Sequence, residues 1–363
     1  MSNKTTEAYS RTGFSVFLFT QVYSLVGTLI LTVTGLFLFI HFADSSEKLS
    51  QLLDSLMSFE QTETNKKIVF VMALAIFFGS VFGMVFSFIG MRLIFKGKTF
   101  VQRIEKRKLT FGQFLTVLFI ALGLWAFGVY IGNIPNFFLS GTPSFFDFGP
   151  VVLPYFAYAM IGAPILEELV FRKFILDRIH VYGEVTAAFA SALIFGLIHQ
   201  NSGQFFLAFF IGILFATVYM KTGKIIYTII MHAIINTLGS VTGLLSLWKI
   251  NVPPVYEYSA IALLGIIGLL IMIRSKNNEI LAIKKNPCAN NLASFDSPGF
   301  AMMTVYTTIT LVTADLFTTL MSLIIDGAIA LLCLIPTAMT IATVILVSKK
   351  VGRLQKSEGD DII

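Results

Sequence analysis

The sequence predicts an all-α fold: a polytopic transmembrane helical bundle with an eight-helix core and a C-terminal helical hairpin. Three observations carry that expectation. Of 363 residues, 56% are hydrophobic and 13% charged, where a soluble chain carries about 25% charged residues. Apolar runs long enough to cross a bilayer as helix recur along the chain. Lys and Arg gather in the short connections between those runs, which is a topology signal.

In chain order, spans are expected at Phe14–Ile40, Ile68–Gly90, Phe114–Gly132, Val151–Ile175, Val185–His199, Phe205–Tyr219, Ile225–Leu245, Tyr258–Ile273, Met302–Ile325 and Ala328–Val347. The first run is too long for a signal-peptide core and no small-residue cleavage site follows it, so it stays as a span. The runs ending in His199 and Tyr219 are short and suit a protein-lined interior. Arg92, Lys96, Lys98, Arg103, Lys106, Arg107 and Lys108 crowd the connection after the second span and mark it cytoplasmic. Alternation then puts Arg172, Lys173, Arg178, Lys221, Lys224, Arg274 and Lys349–Lys350 inside, against the dissent of Lys66, Lys67 and Lys249. The acidic Asp44–Glu63 connection and the Asn133–Phe148 connection fall outside. The chain is therefore expected to be a multi-pass membrane protein with both termini cytoplasmic, in a bacterial cell membrane. Residues 1–274 form the embedded core, with 151–245 as its chemically informative part. A cytoplasmic linker follows at 275–299, the hairpin at 300–348 and a cytoplasmic tail at 349–363.

Several function classes drop out. The net charge of +6 is spent on topology and brings no nucleic-acid signature. Cys288 and Cys333 make neither a zinc cluster nor a disulfide framework. Thr222–Lys224 lacks the glycines of a phosphate loop, and no His-Glu-x-x-His is present.

The informative residues are ionisable groups inside apolar runs, where a charge costs about 2.5–3.5 kcal/mol on insertion scales. They lie in Glu167-Glu168-x-x-x-Arg172, Phe195-x-x-x-His199 and His232-x-x-x-Asn236. Glu168 and Arg172 are four apart and can pair along one helix face, while Glu167 points about 100° away. His232 and Asn236 also share a face. Pro164, lacking an N–H, should bend the helix just before the glutamates. Glu167 and His199 each lie sixteen residues from Gly183, so an antiparallel hairpin turning there sets them at equal height. Bringing His232 level from a turn at Gly223 requires the first hairpin to project about 10 Å further. Asp315 is a rival polar residue, read as structural or accessory, and Glu184 suits a helix N-terminus.

A carboxylate facing an imidazole can activate water, with Glu167 as general base and His199 orienting it. His232 and Asn236 can supply donors to an oxyanion. The same Glu167, His199 and His232 can instead hold a divalent metal such as zinc. Spacing leaves both open. So do two other classes: a non-enzymatic membrane scaffold or immunity factor, and a proton-coupled secondary transporter.

The three motifs in this order, on apolar helices, resemble the CAAX prenyl endoprotease and bacteriocin-processing (CPBP, or Abi) family of intramembrane proteases, over roughly Val151 to Leu245. That resemblance implies an endopeptidase with a cavity open to lipid and cytoplasm, acting on a peptide or a lipid-modified protein. It implies functional positions at Glu167, Glu168, Arg172, His199, His232 and Asn236. The first glutamate and first histidine would activate water; the later histidine and asparagine would form the oxyanion hole. The hairpin after the linker departs from the family's eight-helix pattern.

Overall fold

The computed structural model describes residues 2–42, 46–57, 60, 62–94, 104–132, 152–250, 252–274, 281 and 297–325. Among them the secondary structure is helical, with no strand. The helices are α1 (Ser2–Phe42), α2 (Ser46–Met57), α3 (Glu63–Ile94), α4 (Phe111–Gly132), α5 (Leu153–Ala157), α6 (Ala163–Glu168), α7 (Asp177–Ile179), α8 (Glu184–Leu197), α9 (Ser202–Thr222), α10 (Ile225–Gly239), α11 (Val241–Ser246), α12 (Pro254–Arg274) and α13 (Pro298–Ile325). The Asn133–Phe148 connection, the span at Ala328–Val347, the tail, Cys288 and Cys333 lie outside the described residues, as does nearly all of the linker.

Five described helices are long and apolar enough to cross a membrane: Lys4–Phe42, Glu63–Leu93, Phe111–Gly132, Ser202–Thr222 and Val255–Arg274. Their outward faces are apolar. Leu25, Leu29 and Phe37 on α1, Phe82 and Phe86 on α3, and Leu263, Ile266 and Leu270 on α12 are all exposed, which suits lipid as solvent. The protein is an integral membrane protein.

Two expectations about length are corrected. The run ending in Tyr219 belongs to a full-length helix, because Asn201 caps it early through Gln204 N–H and Gly223, left-handed at φ 58°, ends it late. The seventh run is the shorter one, since its helix stops at Gly239 and a second begins at Val241. The first connection also holds a helix that was not foreseen. Leucines at 49, 52, 53 and 56 repeat at helical spacing, and Leu56 packs on the cluster of Val69, Val152, Phe156 and Leu247.

Packing is close where glycines allow it. Helices α4 and α12 run antiparallel and meet at Gly123 and Gly265, where a Cβ on Gly265 would stand 2.1 Å from the Gly123 Cα. Gly265→Val is expected to destabilise by about 1–3 kcal/mol, as overpacking does. The readout is the melting temperature in detergent, and an unchanged value would show that the helices do not join there. The helix after the linker is integrated with the rest. Phe300 is buried edge-on to Tyr9 at 5.9 Å, Gly299 N–H donates to Ser10 Oγ at 3.0 Å, and Leu311 joins a cluster with Leu193 and Phe205.

Candidate active site

The fourth span is a helix whose register slips twice. A π-helical stretch, Tyr158–Gly162, precedes α6, and another, Leu169–Leu176, follows it. Pro164 gives the first slip a local cause. In π register Ala163 N–H reaches the Tyr158 carbonyl, and the next donor in that series, to the Ala159 carbonyl, would be the missing N–H of Pro164. Asn236 supplies the replacement: its Nδ2 donates to Ala159 O at 2.8 Å. π-Helical turns recur at functional sites, and here they flank both glutamates.

Helix α8 has 14 residues and α10 has 15, so each runs about 21–23 Å, short of a hydrocarbon layer of about 30 Å. His199 sits in the α8–α9 turn, two residues past the end of α8. Asn201 fastens it by donating from Nδ2 to His199 O at 2.9 Å.

The expected pair on the fourth span is present. Arg172 Nε lies 3.1 Å from Glu168 Oε2, with both side chains 0% exposed. The contact is an ion pair but too far out of line for a hydrogen bond, and among the described residues Arg172 Nη1 and Nη2 find no hydrogen-bond partner. Aromatic faces take their place. The guanidinium carbon lies 4.6 Å from the centre of the Phe195 ring and 5.8 Å from that of Phe215, a favourable setting for a desolvated cation.

His232 joins the two glutamates. Its Nδ1 lies 3.1 Å from Glu168 Oε1 and its Nε2 lies 3.8 Å from Glu167 Oε2. A carboxylate only accepts, so the ring N–H belongs on Nδ1 and Nε2 is left with a lone pair on the Glu167 side. Glu167, unlike Glu168, is partly open, at 14% side-chain exposure. Tyr158 stands near enough to Glu167 to feel its charge, beside Tyr23 of α1.

Lys221 and Glu184 form an ion pair at 2.8 Å beside the Gly223 and Gly183 turns. Helix α10 crosses the fourth span obliquely: His232 meets Glu168 while Asn236, one turn on, meets Ala159, nine residues earlier in the chain.

Phe195 links the remaining parts. Its carbonyl holds His199 Nδ1 at 2.8 Å, and its ring stands edge-to-face with His199 at 5.2 Å and with His232 at 5.9 Å. The Glu167 carboxylate thus contacts His232, whereas the His199 ring bonds to the Phe195 carbonyl through Nδ1, and among the described residues its Nε2 has no hydrogen-bond partner. Glu167, His199 and His232 are not gathered as a ligand set: among the described residues no three His, Cys, Asp or Glu side chains converge to hold a metal ion. Asp315 lies on α13, far along the chain from the cluster.

Phe195 is marked in the sequence only as the first position of its motif, and Tyr158 and Asn201 are not marked there. Asn201 carries a readable signal, because Asn-Ser-Gly-Gln is a helix-capping pattern; Tyr158 carries none.

A buried Arg–Glu–His cluster beside a partly open carboxylate, set within an all-α membrane bundle, defines the class as a membrane protein with an embedded ionisable cluster. Residues 149–238, which hold every one of the site residues, match the family model described as Rce1-like, type II CAAX prenyl endopeptidase Rce1-like. Over that segment the chain is similar to the CAAX protease family, which the motifs also resemble. No curated protein and no solved structure matches it.

Proposed function

We propose that the protein is an intramembrane endopeptidase in which Glu167 activates the attacking water. The observation that carries this reading is the 3.8 Å approach of Glu167 Oε2 to His232 Nε2. That is beyond hydrogen-bond length, yet one water can bond to both atoms. Both are acceptors, so such a water donates its two hydrogens and turns a lone pair outward to a peptide carbonyl. Glu167 takes the proton in the attack and returns it to the leaving amine. Glu168, held by Arg172, fixes the His232 ring through Nδ1 and never needs to meet substrate.

The part given to His199 follows from its Nε2, without a hydrogen-bond partner among the described residues: it positions the water or the scissile amide from the α8–α9 turn. Asn236 keeps a second Nδ2 hydrogen besides the one given to Ala159, and that hydrogen is the assigned oxyanion donor. Asn236→Ala is expected to lose that donor and to strand the Ala159 carbonyl. Cleavage should fall by about 10²-fold or more and stability by about 1–3 kcal/mol. Melting temperature and turnover, measured on the same preparation, separate the two effects.

The substrate class that fits is a peptide near the cytoplasmic face, carried on a prenylated or otherwise membrane-anchored protein, with both termini of the enzyme on that side. The test is cleavage of tailed peptides, with and without a lipid anchor, by the full chain in proteoliposomes. Parallel arms carry His199→Ala and a chelator. Loss of activity in His199→Ala alone supports the reading, loss in the chelator arm replaces it with a metal-dependent one, and no cleavage of any peptide by the wild-type protein overturns it.

A further inference from the structure

Helices α4 and α12 form a second feature. They touch at Tyr130 and Ser259, whose hydroxyls lie 2.9 Å apart, at Gly123 and Gly265, and at Phe119 and Gly268. Beyond them a cleft of about 390 Å³ lies between the N-terminal half of α4 and the last turn of α12, with Leu281 as a further wall. Its walls are mainly apolar, from Phe119, Ile271, Met272 and Leu281, with Gln113 and Thr116 on the α4 side. Neither polar side chain makes the cleft a water channel, because Thr116 Oγ1 donates to Gly112 O at 2.9 Å and Gln113 Oε1 caps Thr110 N–H at 3.0 Å. The volume lies in the range of small-molecule pockets of about 300–1,000 Å³.

Two cations flank the cleft in the chain. Exposed Lys108 stands two residues before Thr110 of its lining, and exposed Arg274, which ends α12, stands two residues after Met272. An apolar slot between two spanning helices, flanked by two cations, has the charge and shape of a site for one lipid: an acyl chain in the slot, an anionic headgroup at its rim. Each basic residue near a membrane surface favours anionic lipid by about 1 kcal/mol.

We infer that the α4–α12 cleft binds an anionic phospholipid from the adjacent leaflet, separately from the acid–base centre. The probe is phosphatidylglycerol against phosphatidylcholine, each carrying a diazirine on the acyl chain, with the full chain in nanodiscs. Wild-type protein should crosslink within 112–119, within 271–274 or at Leu281 and prefer phosphatidylglycerol by about tenfold or more. Lys108→Gln/Arg274→Gln should erase the preference while the acyl crosslink remains. Thr116→Trp, which fills the slot, should remove the crosslink for both lipids. Equal labelling by the two lipids in wild-type protein, a preference that survives charge removal, or crosslinks only at other helices would each overturn the inference. Displacement by inorganic phosphate with no acyl crosslink would also overturn it, leaving only a surface anion patch.

Discussion

Glu167→Gln is expected to abolish peptide cleavage, with a fall of about 10²–10⁴-fold, while the protein melts as the wild type does. The amide has nearly the same shape as the carboxylate but cannot take a proton from water, so the loss measures general-base catalysis. Folding should be indifferent, because the Glu167 side chain is 14% exposed and its approach to His232 is 3.8 Å, too long to be a stabilising hydrogen bond. The paired measurements are turnover of a tailed peptide and melting temperature in the same detergent. Full cleavage by the variant would remove Glu167 from the mechanism.

Arg172→Met is expected to have the largest effect on stability. It leaves Glu168, 0% exposed, as a buried charge without its cation, and breaking a buried pair in this way costs about 3–5 kcal/mol. The double variant Glu168→Leu/Arg172→Met separates electrostatics from packing. Removing both charges together is often neutral in stability, so the double variant should regain most of the lost melting temperature. It should not regain activity, because His232 Nδ1 would have lost the carboxylate at 3.1 Å that orients it. A single variant that melts at the wild-type temperature would show that the pair does not hold the site together. Recovery of cleavage in the double variant would show that Glu168 does not act through His232.

The pairing of Glu168 with Arg172 was legible in sequence because i, i+4 geometry is local and the intervening slip in register does not separate them. The convergence of three motifs on one centre was legible in outline, since ionisable groups in apolar helices have nowhere to go but inward. The partner of Glu167 was not. Sequence arithmetic gave Glu167 and His199 equal height, but height along a helix says nothing about azimuth or crossing angle. Ring contacts to Phe195 and the oblique path of α10 decide that His232 meets both glutamates. The task of Asn236 at the Ala159 carbonyl depended on a π-helical stretch that no periodicity in the sequence announces. The helix of residues 46–57 is readable from its leucine spacing, although at 12 residues it is too short to register as a span.

By itself the sequence determined that this is a membrane-embedded helical protein and which polar residues it keeps at depth, because the free energy of placing apolar and charged groups in hydrocarbon depends on residue type and run length. Only the tertiary structure decided which acid faces which imidazole and where a lipid-sized slot opens. Those depend on crossing angles and side-chain contacts between helices distant in the chain, and a difference of one turn redirects every side chain that meets there.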